Sequence, residues 1–497
     1  MVNAKERYEE LALRREPFLR RARRSAELTL PSILPPENHN HTDRLPEPYQ
    51  GLGSRCVVNL SSRLLTALLP PGIAFFKLQI PNAALIEAGQ LAPPADLELG
   101  FSLAEKLIMS EIDRANWRSA TNLALQLLIV TGNALEYIGP DNQLRVYRLD
   151  QYVIERDLTG AVKDIIVRQQ IPPELSPIPT EVKTDLGHEF VELFTRVIRN
   201  KQMTFDVYQE IDGQIVPNSK GTYSISPFIP LRWSLVPSED YGRGKVEEHF
   251  PDFLALDGMA KALLDGSTMA SRHIWMIRPN ATGSNLRRRM AEADNGEIVV
   301  GNPEDVQQLQ FSNITGLQIS AEEVRRLTEI LSTAFLLNSG MRRDAERVTA
   351  TELRMVAEEL EGTLGGVYSM LSQEMQRTRL QRLMLQMIEA GQLPPFESDL
   401  TEIQITTGLE ALGREQDVAR VQAAAQIVQM LTPELTLDYV KMTELLKRAM
   451  NGLGIPEVVR SEQEAQQIRQ QRMQAEQQSQ MGQMMQQAPQ QEVAQNE

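Results

Sequence analysis

The longest regular pattern in this 497-residue chain is helical and runs over residues 350–390. Thr349-Ala-Thr-Glu352 opens it as a capping box, in which a hydroxyl accepts from a first-turn amide and a glutamate reaches back. At 1.5 Å per residue such a helix extends ~60 Å. Gly365-Gly366 in its middle predicts a kink. Ser102-Leu-Ala-Glu105 and Ser320-Ala-Glu-Glu323 have the same capping pattern, and apolar residues follow each at helical spacing. Helices are also predicted over residues 1–30, 52–69, 120–131 and 251–273. In the last of these Phe253, Leu256, Ala260 and Leu263 share a face, and Gly258 and Gly266 would let a second helix approach closely.

Residues 134–236 change character. Short β-branched and aromatic runs alternate with turn signals such as Gly139-Pro-Asp-Asn142, Asp157-Leu-Thr-Gly160 and Asp212-Gly213. An antiparallel β-rich insert within a helical framework is expected, making the chain mainly α with an α+β insert. Between residues 274 and 313 the helical pattern breaks again around Asp294-Asn295-Gly296, a hairpin signal. The Pro-rich stretch 30–48 reads as a connector. After Ser461, fifteen of the last 36 residues are glutamine, which predicts a polar helix fraying into disorder.

Composition narrows the chemistry. The only cysteine is Cys56, so an intrachain disulfide framework is excluded. No 18-residue apolar run exists, so no membrane-spanning helix and no membrane partner is expected, and no apolar signal core stands at the N-terminus. Lys+Arg number 51 against 66 Asp+Glu, for a net charge of −15, which argues against sequence-independent coating of nucleic acid. Arg14, Arg15, Arg20, Arg21, Arg23 and Arg24 form a basic N-terminal cluster, read as a solvated or partner-facing helix.

Catalytic patterns fail one by one. Tyr241-Gly-Arg-Gly-Lys245 has Glu239 where a phosphate loop needs its first glycine, and Val246 where it needs a hydroxyl for the metal. His188-Glu189 lacks the second histidine of a zinc-protease helix and lies in an alternating, strand-like run; His39 and His41 have no third ligand nearby. Glu358, Glu359 and Glu361 fit a solvated or inter-subunit helix face. No catalytic residue, metal ligand or cofactor is expected, and the chain does not read as an enzyme. Two basic clusters remain: Arg287-Arg288-Arg289, between two helices, and Arg342, Arg343 and Arg347, in the connector before residue 349. Both suit an acidic partner or a polyanion.

Several blocks in a shared order resemble the head-to-tail connector, or portal, proteins of short-tailed double-stranded-DNA phages (podoviruses). The strongest is the run from Leu337 to Glu374, with Glu346-Arg-Val-Thr-Ala-Thr-Glu-Leu-Arg354 and Leu364-Gly-Gly-Val-Tyr-Ser369. Others are the run from Asn59 to Leu68 with Pro70-Pro71, the run from Leu128 to Leu135, Tyr147-Arg-Leu-Asp-Gln-Tyr-Val153, Tyr241-Gly-Arg-Gly244 and Thr407-Gly-Leu-Glu-Ala-Leu-Gly413. The likeness covers roughly residues 5–460.

The resemblance implies a ring, usually of twelve copies, at one capsid vertex around a channel for double-stranded DNA, which it would contact without sequence specificity. It implies a wing over residues 1–250 and 349–432, stem helices over 251–273 and 320–338, a clip over 274–313, a channel loop over 339–348 and a crown with the Gln-rich tail over 433–497. Arg342, Arg343 and Arg347 would then face the DNA channel, and Arg287, Arg288 and Arg289 would dock partners at the clip. The implied partners are the packaging ATPase (terminase), scaffold and major capsid protein, and tail adaptor proteins, with assembly in the host bacterial cytoplasm and residence in the virion. Another ring-shaped virion protein, such as a tail adaptor or an internal core protein, is the alternative reading; a nucleic-acid enzyme would need the clustered carboxylates or nucleotide loop missing above.

Overall fold

The computed structural model describes residues 3–37, 39, 43–72, 74–80, 95–179, 183–185, 188–271, 274–277, 288, 292–294, 304, 306–309, 314–337, 359–360, 362–364, 366–394 and 402–405. The chain divides into two compact units, Met1–Phe75 with Leu107–Pro395, and Phe76–Lys106 with Phe396–Glu497.

In order, the elements are α1 (Ala4–Glu27), α2 (Leu52–Leu68), β1 (Phe76–Gln79), α3 (Ala95–Arg114) and α4 (Trp117–Thr131). Strands β2 (Asn133–Ile138), β3 (Leu144–Tyr147), β4 (Tyr152–Arg156), β5 (Val162–Ile171), β6 (Lys183–Asp185), β7 (His188–Arg199), β8 (Phe205–Ile211), β9 (Gln214–Ile215), β10 (Gly221–Tyr223) and β11 (Phe228–Arg232) follow. Next come α5 (Lys245–Glu248), α6 (Phe250–Ala270), β12 (Ile274–Ile277), β13 (Val306–Leu309) and α7 (Ile314–Ala334). Last are α8 (Val367–Leu371), a π-helical turn over Ser372–Arg377, α9 (Thr378–Glu389) and β14 (Glu402–Ile405). The chain is α+β, with its antiparallel strands gathered where the sequence places them.

In the larger unit, seven strands form one antiparallel sheet, ordered β10-β8-β7-β5-β4 with β6 and β9 paired at its margins. Its core face is set by strand alternation: Val153, Ile166 and Phe194 point to one side and receive Ala4, Tyr8 and Leu11 of α1. The Tyr8 and Phe194 rings meet edge to face at 5.6 Å. Arg15 of the same helix is buried, and its Nη1 donates to the carbonyls of Leu149, Asp150 and Tyr152. The basic-cluster reading is thereby corrected at Arg15, which pins α1 to the sheet, whereas Arg20 stays in solvent. A second sheet, β11-β2-β3, stacks Tyr137 on Phe228 at 4.5 Å.

In the smaller unit β1 pairs antiparallel with β14, from Phe76 opposite Ile405 to Gln79 opposite Glu402. There Glu105 accepts from the Leu78 amide at 2.8 Å. This corrects the Ser102–Glu105 capping box, because α3 already starts at Ala95 and Glu105 caps a strand amide instead. Ser320 fails in the same way: α7 starts at Ile314, so Ser320 lies inside the helix.

The expected kink in the long helix is sharper than a bend. Gly366 takes φ 87°, a left-handed conformation that breaks the helix ahead of α8, and the π turn follows six residues later. The beginning of that pattern at residues 349–358, the connector at 339–348 and the segment 433–497 lie outside the described residues.

Candidate functional site: the α6–α7 pair and its strand tip

What positions α6 begins with backbone contact. Gly132 ends α4 in the left-handed conformation, φ 76°. A Cβ there would lie 2.5 Å from the Arg243 carbonyl carbon, and one on Gly244 would lie 2.8 Å from the carbonyl oxygens of Ile129 and Val130. Asn133 then grips Gly242 twice, its Nδ2 donating to the carbonyl at 2.9 Å and its Oδ1 accepting from the amide at 2.8 Å. The Tyr241 hydroxyl caps the Ile154 amide at 3.1 Å. Burial pushes that hydroxyl's pKa well above the usual tyrosine range. So Tyr241-Gly-Arg-Gly244 is a glycine contact against Thr131-Gly132-Asn133, not a phosphate cradle. It fixes the chain just before α5 and α6.

Beyond this anchor, α6 and α7 pack together. At the anchored end Phe253, Leu256, Leu327, Leu331 and Phe335 are buried, and the rings of Phe253 and Phe335 meet at 5.6 Å. His249 also meets Phe335 edge to face, at 5.7 Å. Leu336 ends α7 with φ 57°, unusual for a branched residue, and the amide of Leu337 donates back to Ser332 at 2.7 Å. Asn59 of α2 holds this termination, its Nδ2 donating to the carbonyls of Phe335 and Leu336 at 3.1 and 3.0 Å. Further along, Gly266 faces Leu317 so closely that a Cβ would sit 2.5 Å from a leucine methyl. The close-approach expectation holds at Gly266, but Gly258 faces open space.

The far end of the pair is different. Leu264 and Met269 of α6 are 56% and 62% exposed, and Ile319 of α7 is 66% exposed. From Asp257 onward no described residue of α6 is buried, although apolar residues cover most of the helix outside one polar stripe of Asp257, Lys261, Asp265 and Thr268. β12 and β13 close the tip as an antiparallel pair, Ile274 opposite Leu309 and Ile277 opposite Val306. The outer side of α7 alternates in sign: Arg326 pairs with Glu323, holding its carboxyl below the usual range, and Arg325 lies 3.9 Å from Glu322.

Of the predicted site residues, Arg288 is described. It is exposed, and its Nε donates to Glu292 at 2.8 Å, one helical turn on. Arg287, Arg289, Arg342, Arg343 and Arg347 lie outside the described residues. Among the described residues no cluster of His, Cys, Asp and Glu could hold a metal ion, and no helix is long and apolar enough to cross a membrane. The anchor at Asn133 and Gly242 was not foreseen as a pair, though both motifs that form it stand among the blocks quoted above.

Comparison with known proteins identifies the family. The family model described as "Bacteriophage head to tail connecting protein" matches residues 2–460. The portal protein of Escherichia phage T7 is 32% identical over 486 residues, covering 93% of this chain and 89% of its own length. The portal protein of Enterobacteria phage T3 is 33% identical, covering 91% and 86%. That of Pseudomonas phage phiKMV is 30% identical, covering 84% of each. Among solved structures, the neck of an empty gene transfer agent particle aligns with a TM-score of 0.37 at 14% identity, covering 76% of this chain and 86% of its own. With a family model spanning most of its length and relatives above 30% identity, this chain belongs to the bacteriophage head-to-tail connecting proteins: a structural component of the virion's head–tail junction, not an enzyme.

Proposed function

We propose that this connector works as a portal: copies of the chain close into a ring, usually of twelve in the family it resembles, and viral DNA passes through the centre during packaging and ejection. The observation that carries the reading is the far half of α6. A helix apolar over most of its circumference needs burial on more than one side, and among the described residues α7 is the helix that packs along it. In a ring, the neighbouring copy supplies the other side.

On this reading α6 and α7 are the stem, and residues 274–313, with the β12–β13 pair at their base, are the clip. The acidic balance of −15 per chain keeps phosphates from sticking to the wall, and arginines supply local, reversible grip. Arg342, Arg343 and Arg347 are assigned to the channel loop over residues 339–348, Arg287, Arg288 and Arg289 to docking at the clip. The partners are the packaging ATPase first and tail adaptor proteins later, with scaffold and major capsid protein around the wing. The crown is assigned to residues 433–497, and assembly to the host cytoplasm.

Light scattering and negative-stain microscopy of the purified chain test this together. Rings with a central hole, about ten times the monomer mass or larger, are expected, and Leu264→Glu with Met269→Glu should reduce them to monomers that stay folded. A wild-type chain that remains monomeric at micromolar concentration overturns the reading.

A further inference from the structure

Two arginines three residues apart on α9 are both buried, and they are treated differently. Arg379 has a complete set of partners: its guanidinium forks onto the Glu136 carboxylate, with Nε donating to Oε2 at 2.7 Å, and its Nη1 donates to the Thr121 hydroxyl at 3.0 Å. Arg382 has none. It is 4% exposed, its Nε is sealed without an acceptor, and no carboxylate among the described residues comes within ion-pair distance of it. The acid that acts on it most strongly is Glu389, an exposed residue two turns on, and burial lowers the pKa of the Arg382 guanidinium. A guanidinium N–H withdrawn from water without an acceptor is costly, which is why largely buried arginines are found with anions.

The surroundings of Arg382 are built to hold its plane still. Its guanidinium carbon stacks 4.7 Å from the centroid of Tyr223, on the edge strand β10. The contact engages the ring face and uses none of the guanidinium's N–H donors. Tyr137 of β2, itself stacked on Phe228, couples electrostatically to both Arg382 and Tyr223. The site therefore brings one flat cation together with two tyrosines. That set matches a planar oxyanion with two acceptor oxygens on one edge.

We propose that Arg382, with Tyr137 and Tyr223, forms a carboxylate-binding site on the face of α9 that Arg379 leaves unused. The carboxylate can come from solution or from an Asp or Glu of a second copy, since the chain carries 66 acidic residues against 51 basic ones. Only the second source rests on the ring proposed above; the first stands without it.

The test compares wild type, Arg382→Lys and Arg382→Met in sodium acetate and in sodium chloride at equal ionic strength. The lysine variant keeps the charge and loses the fork, so it remains informative if the methionine variant fails to fold. A solution carboxylate predicts a rise of ~2 °C or more in the wild-type unfolding midpoint in acetate over chloride, lost in Arg382→Lys. A carboxylate from a second copy predicts no acetate response, together with dissociation of Arg382→Lys assemblies at several-fold lower salt than wild type, while its monomers unfold at an unchanged midpoint. An acetate response retained in both variants, or variants that match wild type in both measurements, overturns the site.

Discussion

Asn133 and Gly242 hold each other through two hydrogen bonds, 2.9 and 2.8 Å long, across 109 residues of sequence. Both partners are buried, so removing the carboxamide leaves an amide and a carbonyl without water or protein to satisfy them. Asn133→Ala is expected to lower stability by about 2–4 kcal/mol, read from the denaturant midpoint. Gly242→Ala should be worse than a simple loss of glycine freedom, since its Cβ would lie 2.8 Å from the Gly132 carbonyl oxygen, which is backbone and cannot rotate away.

Arg379 and Glu136 form a pair with almost no exposure to solvent. Arg379→Met alone strands a buried carboxylate and should cost about 3–5 kcal/mol. The double variant Arg379→Met with Glu136→Leu should recover most of that loss. A double-mutant cycle with additive losses would show that the two side chains act independently.

Burial pushes the Cys56 thiol up to about 12. The thiolate is the reactive form, so the native chain should resist Ellman's reagent at pH 8 and react fully once denaturant opens α2. Rapid labelling of the native protein would contradict the buried placement of Cys56.

Asp157 sits in the β4–β5 turn, where the Thr159 hydroxyl first and Arg199 second hold its carboxyl below the usual range. A carboxyl whose pKa is lowered by folding contributes stability that is complete above its unfolded value, about 3.9, and is lost as pH falls through the lower folded value. Wild type should therefore lose more stability than Asp157→Asn between about pH 5 and pH 2, measured as the shift in urea midpoint. Parallel pH curves for the two proteins would refute the assignment.

Much of this fold can be read from local pattern. The β-rich insert is legible because alternation such as Tyr152-Val-Ile-Glu-Arg156 is bounded by turn residues, and Asn142 and Asp212 do take positive φ there. The α6 and α7 helices are legible from their spacing, to within six residues at their starts. Capping signals mislead at Ser102 and Ser320 because the same residues are tolerated inside a helix whose start lies further back. Apart from the close approach at Gly266, the long-range contacts that hold these helices and α9 in place are not legible. Asn59 meets Leu336 across 277 residues and Arg379 meets Glu136 across 243, and no local period encodes a pairing at such separation. Arg382 is equally silent: nothing in its neighbourhood along the chain distinguishes it from Arg379.

The π turn over Ser372–Arg377 carries a consequence for chain length. Tyr368 and Gln376 both reach the C-terminal end of α2, donating to the carbonyls of Ala67 and Leu68. In an uninterrupted α-helix, at about 100° per residue, eight residues would leave the two side chains roughly 80° apart around the axis. The wider π turn absorbs that surplus and brings them onto one side. The segment between them thus tolerates neither insertion nor deletion: one residue more or fewer would rotate Gln376 and all of α9 away from α2, carrying Arg379 off Glu136 in the same movement.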